Sequence, residues 1–150
     1  MTHPFYDFTV LNEALRFEFD SVGKRIIPKV ILFATTDLPN IYSLTLANLL
    51  PDGSLDDTTV SDNGDMEKIL ATVFQCITVF LNDYPDSIVG FSGSSVSRTR
   101  LYQIAIAREL EEANTRFNVW GFTQDIIEPF QRNKAYEGFL ISFKNVNIGQ

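Results

Sequence analysis

An α+β fold is predicted for this chain: an antiparallel sheet of about five or six strands with two helices packed on one face, in the order β-β-β-α-β-α-β-β. Three observations predict it. Thirteen phenylalanines in 150 residues favour strands and a bulky apolar sheet face. Two long segments repeat their apolar residues at helical spacing, while the segments before, between and after them alternate or run apolar over only a few residues. Most connections are short, as expected where sequence neighbours pair in space. At 45% hydrophobic and 21% charged, the composition is that of a folded domain, and the length suits one domain spanning residues 1–150.

The elements follow in order. Leu15, Phe17 and Phe19 alternate with Arg16, Glu18 and Asp20, which predicts a half-buried strand. Ser21-Val22-Gly23-Lys24 turns the chain, and 26–33 returns as a second strand. Pro28 cannot donate to a ladder, so it belongs near the strand start, at an edge or on a bulge. After Asp37-Leu38-Pro39-Asn40, residues 41–49 give a third strand, and the three suggest an antiparallel meander. Residues 51–65 form one long polar connection. Asp62 or Asn63 can cap the helix that follows, with Asp65 and Glu67 at its positive end. Met66, Ile69, Leu70, Val73, Phe74, Ile77, Phe80 and Leu81 form its apolar stripe, and Pro85 stops it. Residues 87–91 make a strand, and a second helix runs from about 95 to 114 with Leu101, Ile104, Ala105 and Arg108 on one face. Residues 117–122 and 136–143 close the sheet. Phe74, Ile77, Leu101 and Ile104 are the expected core between helices and sheet.

The formal net charge of −7 argues against a general nucleic-acid binder, whose affinity rests on neutralising phosphates. Nothing resembles a signal peptide or a membrane span, so a cytoplasmic location without membrane association is expected. Catalysis finds few parts. His3 is the only histidine and Cys76 the only cysteine, which leaves no Ser-His-Asp or Cys-His pair and no cysteine-rich metal set. Ser92, Ser94, Ser95 and Ser97 lack a nearby general base, and neither a P-loop nor a dinucleotide fingerprint is present. The acidic connection does not match an EF-hand. An all-carboxylate magnesium site from Asp56, Asp57, Asp62 and Asp65 is a minor alternative to a solvated loop. No cofactor and no metal are expected, and a non-enzymatic role is favoured.

The candidate site is the strand–turn–helix around Gly93. Gly93, Ser94, Ser95 and Ser97 bring backbone amides and hydroxyls to the positive end of a helix, and Arg98 and Arg100 add planar donors that match phosphate or carboxylate. Tyr102, one turn beyond Arg98, either reaches the ligand or packs with a polar tip. Two readings stand. In one, these residues bind a small anionic ligand. In the other, Arg98 and Arg100 clamp the second helix to Asp62, Asp65 or the 52–57 loop, and the domain works by binding a protein partner or forming a homo-oligomer.

Asn63-Gly64-Asp65, Leu70-Ala71-Thr72-Val73, Gly93-Ser94 and Arg98-Thr99-Arg100-Leu101-Tyr102-Gln103 together carry a resemblance. It extends from the Phe19–Gly23 turn to the Tyr136–Leu140 strand. The chain resembles a family of small single-domain bacterial proteins of unknown function, found mostly in Bacteroidetes. The usual form there has Gly-Ser-Thr where this chain has Gly93-Ser94-Ser95, which keeps the hydroxyl. The resemblance implies a bacterial soluble domain and adds no catalytic residue.

Overall fold

The alternation between 15 and 49 becomes three strands, and three very short ones join them. The computed structural model describes residues 3–57, 62–93, 95–113 and 116–146, with side chains for all of these but 109–113. Its elements are β1 (Thr9–Leu11), β2 (Arg16–Val22), β3 (Ile26–Thr35), β4 (Ile41–Leu49), β5 (Leu55–Asp56), α1 (Met66–Asp83), β6 (Ile88–Phe91), α2 (Val96–Ala113), β7 (Phe117–Phe122), β8 (Ile127–Pro129) and β9 (Gly138–Phe143). The strands bond in the order β1-β2-β3-β4-β6-β9-β7-β8, with β5 added to β4. The fold is thus α+β, a mixed and mostly antiparallel sheet with two helices, as the sequence predicts. Among the described residues it has nine strands instead of five or six. The additional β1, β5 and β8 span two or three residues each, too few to show an alternation. The parallel pair is β4 with β6, and α1 lies between them in the chain as the crossover that such a pair needs.

The chain divides into two compact units, one of Met1–Ala34 with Leu44–Asp83, the other of Thr35–Ser43 with Tyr84–Gln150. In the first unit, β2 pairs with β3 from Arg16↔Leu32 to Val22↔Ile26. Alternation then buries Phe17 and Phe19, and β3 adds Val30, Ile31 and Phe33. The helix α1 meets this core as its stripe predicts: Ile69, Leu70, Val73, Ile77, Phe80 and Leu81 are buried. Phe80 stacks on Phe33 with ring centroids 4.2 Å apart, and Phe33 meets Phe17 edge-on. Phe74 is only half-buried, at the margin of the stripe. Cys76 is fully buried, and burial pushes its thiol pKa up, so the thiolate needed for reactivity is disfavoured. The turn from β1 to β2 passes through three successive left-handed residues, Asn12, Glu13 and Ala14, at φ 51°, 58° and 66°.

In the second unit, β9 lies between β6 and β7 and pairs antiparallel with both. Val89, Phe139 and Ile141 are its most buried apolar sheet side chains, and Phe139 takes edge or tilted contacts from Phe91, Phe130 and Tyr136. Here the expected core needs correction. Leu101 is 39% and Ile104 53% exposed, whereas Thr99, Tyr102, Gln103, Ala105 and Ile106 are buried. The inward face of α2 carries two polar side chains with dedicated partners, so apolar spacing alone selected the wrong side. Among the described residues, no helix is long and apolar enough to cross a membrane.

Candidate functional site

Between β6 and α2 the chain must reverse within a few residues, and the side chains of the turn are largely spent on doing so. Ser95 occupies the cap position of α2. Its carbonyl accepts the Thr99 N–H at 3.0 Å, and its Oγ accepts the Arg98 N–H at 3.2 Å. Thr99 Oγ1 donates back to the Ser95 carbonyl and accepts the Gly93 N–H, both at 3.0 Å. Gly93 lies so close to the first turn that a Cβ there would collide with the Thr99 nitrogen and with Arg98, which explains the glycine. Of the predicted anion donors, the Gly93 amide is therefore spent on the turn, whereas the Ser95 hydroxyl serves there as an acceptor. Ser94 lies outside the described residues.

The remaining members divide by exposure. Ser97 and Arg100 are exposed and Arg98 is half-buried. Tyr102 is buried, its ring edge-on to Phe91 at 5.4 Å, so its position is that of a packing residue. Burial raises its phenol pKa, while the positive charge of Arg98 pulls it down. One residue further, Gln103 donates through Nε2 to the carbonyls of Arg132 (3.1 Å) and Lys134 (2.5 Å), fastening the loop before β9. From β8, Glu128 reaches the same loop and accepts from Lys134 Nζ at 2.7 Å and from the Tyr136 hydroxyl at 2.6 Å. The hydrogen bonds from Lys134 and then Tyr136 hold the Glu128 carboxyl below its usual range. Burial, reinforced by Glu128, pushes Tyr136 up to about 12.

Sequence reasoning missed a second polar cluster, at Asn63-Gly64-Asp65. The sequence offers Asp62 or Asn63 as the cap of α1. Instead the first α1 bond, from the Ile69 N–H, goes to the Asp65 carbonyl at 3.0 Å, and Asn63 grips the β2–β3 hairpin. Its Oδ1 accepts the Arg25 N–H (2.8 Å). Its Nδ2 donates to the Arg25 carbonyl (2.9 Å) and Ser21 Oγ (3.0 Å), and its carbonyl accepts the Lys24 N–H (3.3 Å). A Cβ on Gly23 would run into the Asn63 carbonyl. Asp65 Oδ2 accepts from the hydroxyls of Tyr6 and Ser21, both at 2.5 Å. Burial, then the bond to Asp65, raises the Tyr6 phenol pKa. Asp65, one of the acidic partners considered for the arginines, thus has hydroxyl donors within its own unit. Asp52, another, accepts the Ser54 N–H (3.0 Å) and hydroxyl (2.6 Å) in its own turn. A polar residue just before a helix was the only signal, and it reads as a cap. Among the described residues, no three His, Cys, Asp or Glu side chains are grouped to hold a metal ion.

These features define an α+β fold with a side-chain-fastened hairpin and a helix whose opening turns carry arginines. The chain belongs to the DUF6934 family, a family of unknown function, whose model matches residues 2–144. No curated protein and no solved structure matches it. Two stretches that carry the resemblance in the sequence, Asn63–Asp65 and Arg98–Gln103, are where the structure places long-range side-chain hydrogen bonds. Asn63, Asp65, Thr99 and Gln103 make hydrogen bonds that fold the chain, whereas Arg100 is exposed.

Proposed function

We propose that this is a small cytoplasmic bacterial binding domain, with no catalytic role, that takes a phosphate- or carboxylate-bearing ligand at the opening of α2. The observation that supports this reading is the exposure of Arg100 and Ser97 within the first two turns of an 18-residue helix, beside the half-buried Arg98. In a chain of net charge −7 this is a local positive spot backed by the helix dipole. Because the Gly93 amide is engaged with Thr99, the Arg100 guanidinium and the Ser97 and Ser95 hydroxyls supply the donors.

Phosphate should raise the melting temperature of the native protein by mass action, and do so less as salt is added. Arg100→Ala should keep the fold, since an exposed arginine contributes about 1 kcal/mol or less, yet lose the response. A response that is absent in wild type, or unchanged in Arg100→Ala, sinks this reading. A partner-binding reading is the second, and a specific observation favours it: Val96, Leu101 and Ile104 on the same helix are exposed at 88%, 39% and 53%.

A further inference from the structure

Residues 3–11 form an arm laid on the body of the first unit. Its strand β1 stands at the end of the strand order and bonds to β2, so its departure leaves the β2–β3 ladder intact. Tyr6 does most of the fastening. Its N–H donates to Thr72 Oγ1 at 2.9 Å, and its hydroxyl accepts the Val22 N–H at 3.0 Å and donates to Asp65 at 2.5 Å. Its ring stacks on Phe19 with centroids 5.7 Å apart, and Lys68 Nζ stands 4.4 Å from the ring centre. Phe8 meets Phe17 edge-on. These partners all lie outside the arm, so a second copy of the chain offers the same contacts to it.

The hinge that joins the arm to the body is strained. Asn12, Glu13 and Ala14 follow one another at φ 51°, 58° and 66°, while Leu11 and Leu15 on either side have negative φ. For L residues this left-handed region crowds Cβ against the following carbonyl. Asparagine tolerates it, but a run through glutamate and alanine persists only where contacts at both ends hold the turn closed. Short strained hinges favour exchange of an element between copies, because opening releases the strain while the exchanged contacts stay the same. The register permits this. The pairs Thr9↔Glu18, Val10↔Phe17 and Leu11↔Arg16 are centred between Glu13 and Ala14. With the hinge extended, the ladder continues as Asn12 opposite Leu15 and Glu13 opposite Ala14 of the other copy. A two-fold axis between Glu13 and Ala14 then makes β1 and β2 one strand that pairs with its twin.

We propose that residues 3–11 exchange between two copies of this chain, each β1 completing the other's sheet and each Tyr6 entering the other's socket of Phe19, Asp65, Lys68 and Thr72. The relieved hinges favour the pair and the lost freedom of association opposes it, so protein concentration decides which form is populated. Exchange requires the arm to come away first, which ties it to refolding. It concerns the first unit alone and goes beyond the anion-binding reading, which rests on α2.

Refolding at low and at high protein concentration, followed by sedimentation velocity after dilution to a common concentration, tests it. Wild type refolded dilute should be monomeric, and wild type refolded concentrated should contain dimer. Glu13→Val, β-branched and ill suited to positive φ, should raise the association constant about tenfold or more. Ala14→Gly, free to adopt that φ, should lower it by a similar factor. The origin of the arm is read from Thr9→Cys combined with Glu18→Cys, which face each other across β1 and β2. Oxidation should link two chains in the exchanged dimer and close a loop within one chain in the monomer, as a denaturing gel without reductant shows. Cys76, fully buried, stays out of the reaction. A wild type monomeric after both refolding conditions, a dimer indifferent to both hinge variants, or a dimer whose new cysteines join within single chains overturns the proposal.

Discussion

The two helices are the same length, 18 residues each, and are built on opposite plans. In α1 the apolar stripe is the buried stripe: Ile77, Phe80 and Leu81 are at most 1% exposed, and Phe80 lies flat on Phe33. In α2 the buried side includes Thr99 and Gln103, each with backbone partners in a loop, and the aliphatic residues at 96, 101 and 104 point away. Packing holds α1, with a strength that scales with apolar area. Tyr102, Ala105 and Ile106 pack α2 as well, and its hydrogen bonds to loops add partners that contribute less per contact but fix its geometry. A periodicity that decides one helix can therefore mislead about the other.

The sharpest way to break this comparison is Phe80→Ala. It removes a fully buried ring from α1 and should cost about 3–5 kcal/mol, measured by urea unfolding, because the stack with Phe33 cannot collapse into the space. The counterpart in α2 is Gln103→Ala, which strands the carbonyls of Arg132 and Lys134. It should cost about 1–3 kcal/mol, with faster amide exchange in 131–136 as the local sign. If Gln103→Ala matched Phe80→Ala in size, α2 would be as packing-dependent as α1.

The pH dependence sharpens the contrast further. Tyr136 has a folded pKa near 12 against an ordinary value of 10.0. The folded state thus keeps a proton that the unfolded chain loses. The stabilisation is whole below about pH 10 and is lost as pH rises toward 12. Glu128 works at the other end: its depressed pKa favours the folded state above the ordinary carboxylate range, and that gain disappears as pH falls. Unfolding midpoints followed from pH 9 to 12 should fall less steeply in Tyr136→Phe than in wild type. Equal slopes would place the alkaline loss elsewhere. The smallest effect belongs to Ile104→Ser. Exposed as it is, the side chain should change monomer stability by no more than about 0.5 kcal/mol. A loss of several times that at low protein concentration would mean that Ile104 packs within the chain after all.

How much of this was legible in the sequence depended on the range of the interaction. The alternation of Phe17 and Phe19, the stripe of α1, and the limits of β3, β4, β6 and β7 are local patterns, and they appear within a residue or two of their expected places. The strands β1, β5 and β8 are too short to have a pattern. The strand–turn–helix at Gly93 was also local, and it forms where expected. Its internal economy was not visible, because a hydroxyl such as Thr99 is equally suited to a ligand or to its own backbone. The inward role of Gln103 needed the loop near 132 to be known. The grip of Asn63 needed the hairpin at 21–25. Neither partner lies within reach of any window along the chain.

That last pairing has a consequence in time. The β2–β3 hairpin can zip from Val22↔Ile26 outward by local pairing alone, an event of about 1–10 µs in hairpins generally. Its tip cannot be completed that way. The Arg25 amide and carbonyl find their side-chain partner 38 residues later, in Asn63, and Ser21 finds it 42 residues later. As the chain leaves a ribosome the hairpin is therefore made early and left open at its turn until the start of α1 emerges. The clasp spans 38 residues between Arg25 and Asn63, and Asn63 stands three residues before α1. Docking of the helix and completion of the hairpin become one cooperative event, which makes a half-folded first unit with its strands formed and its helix loose short-lived.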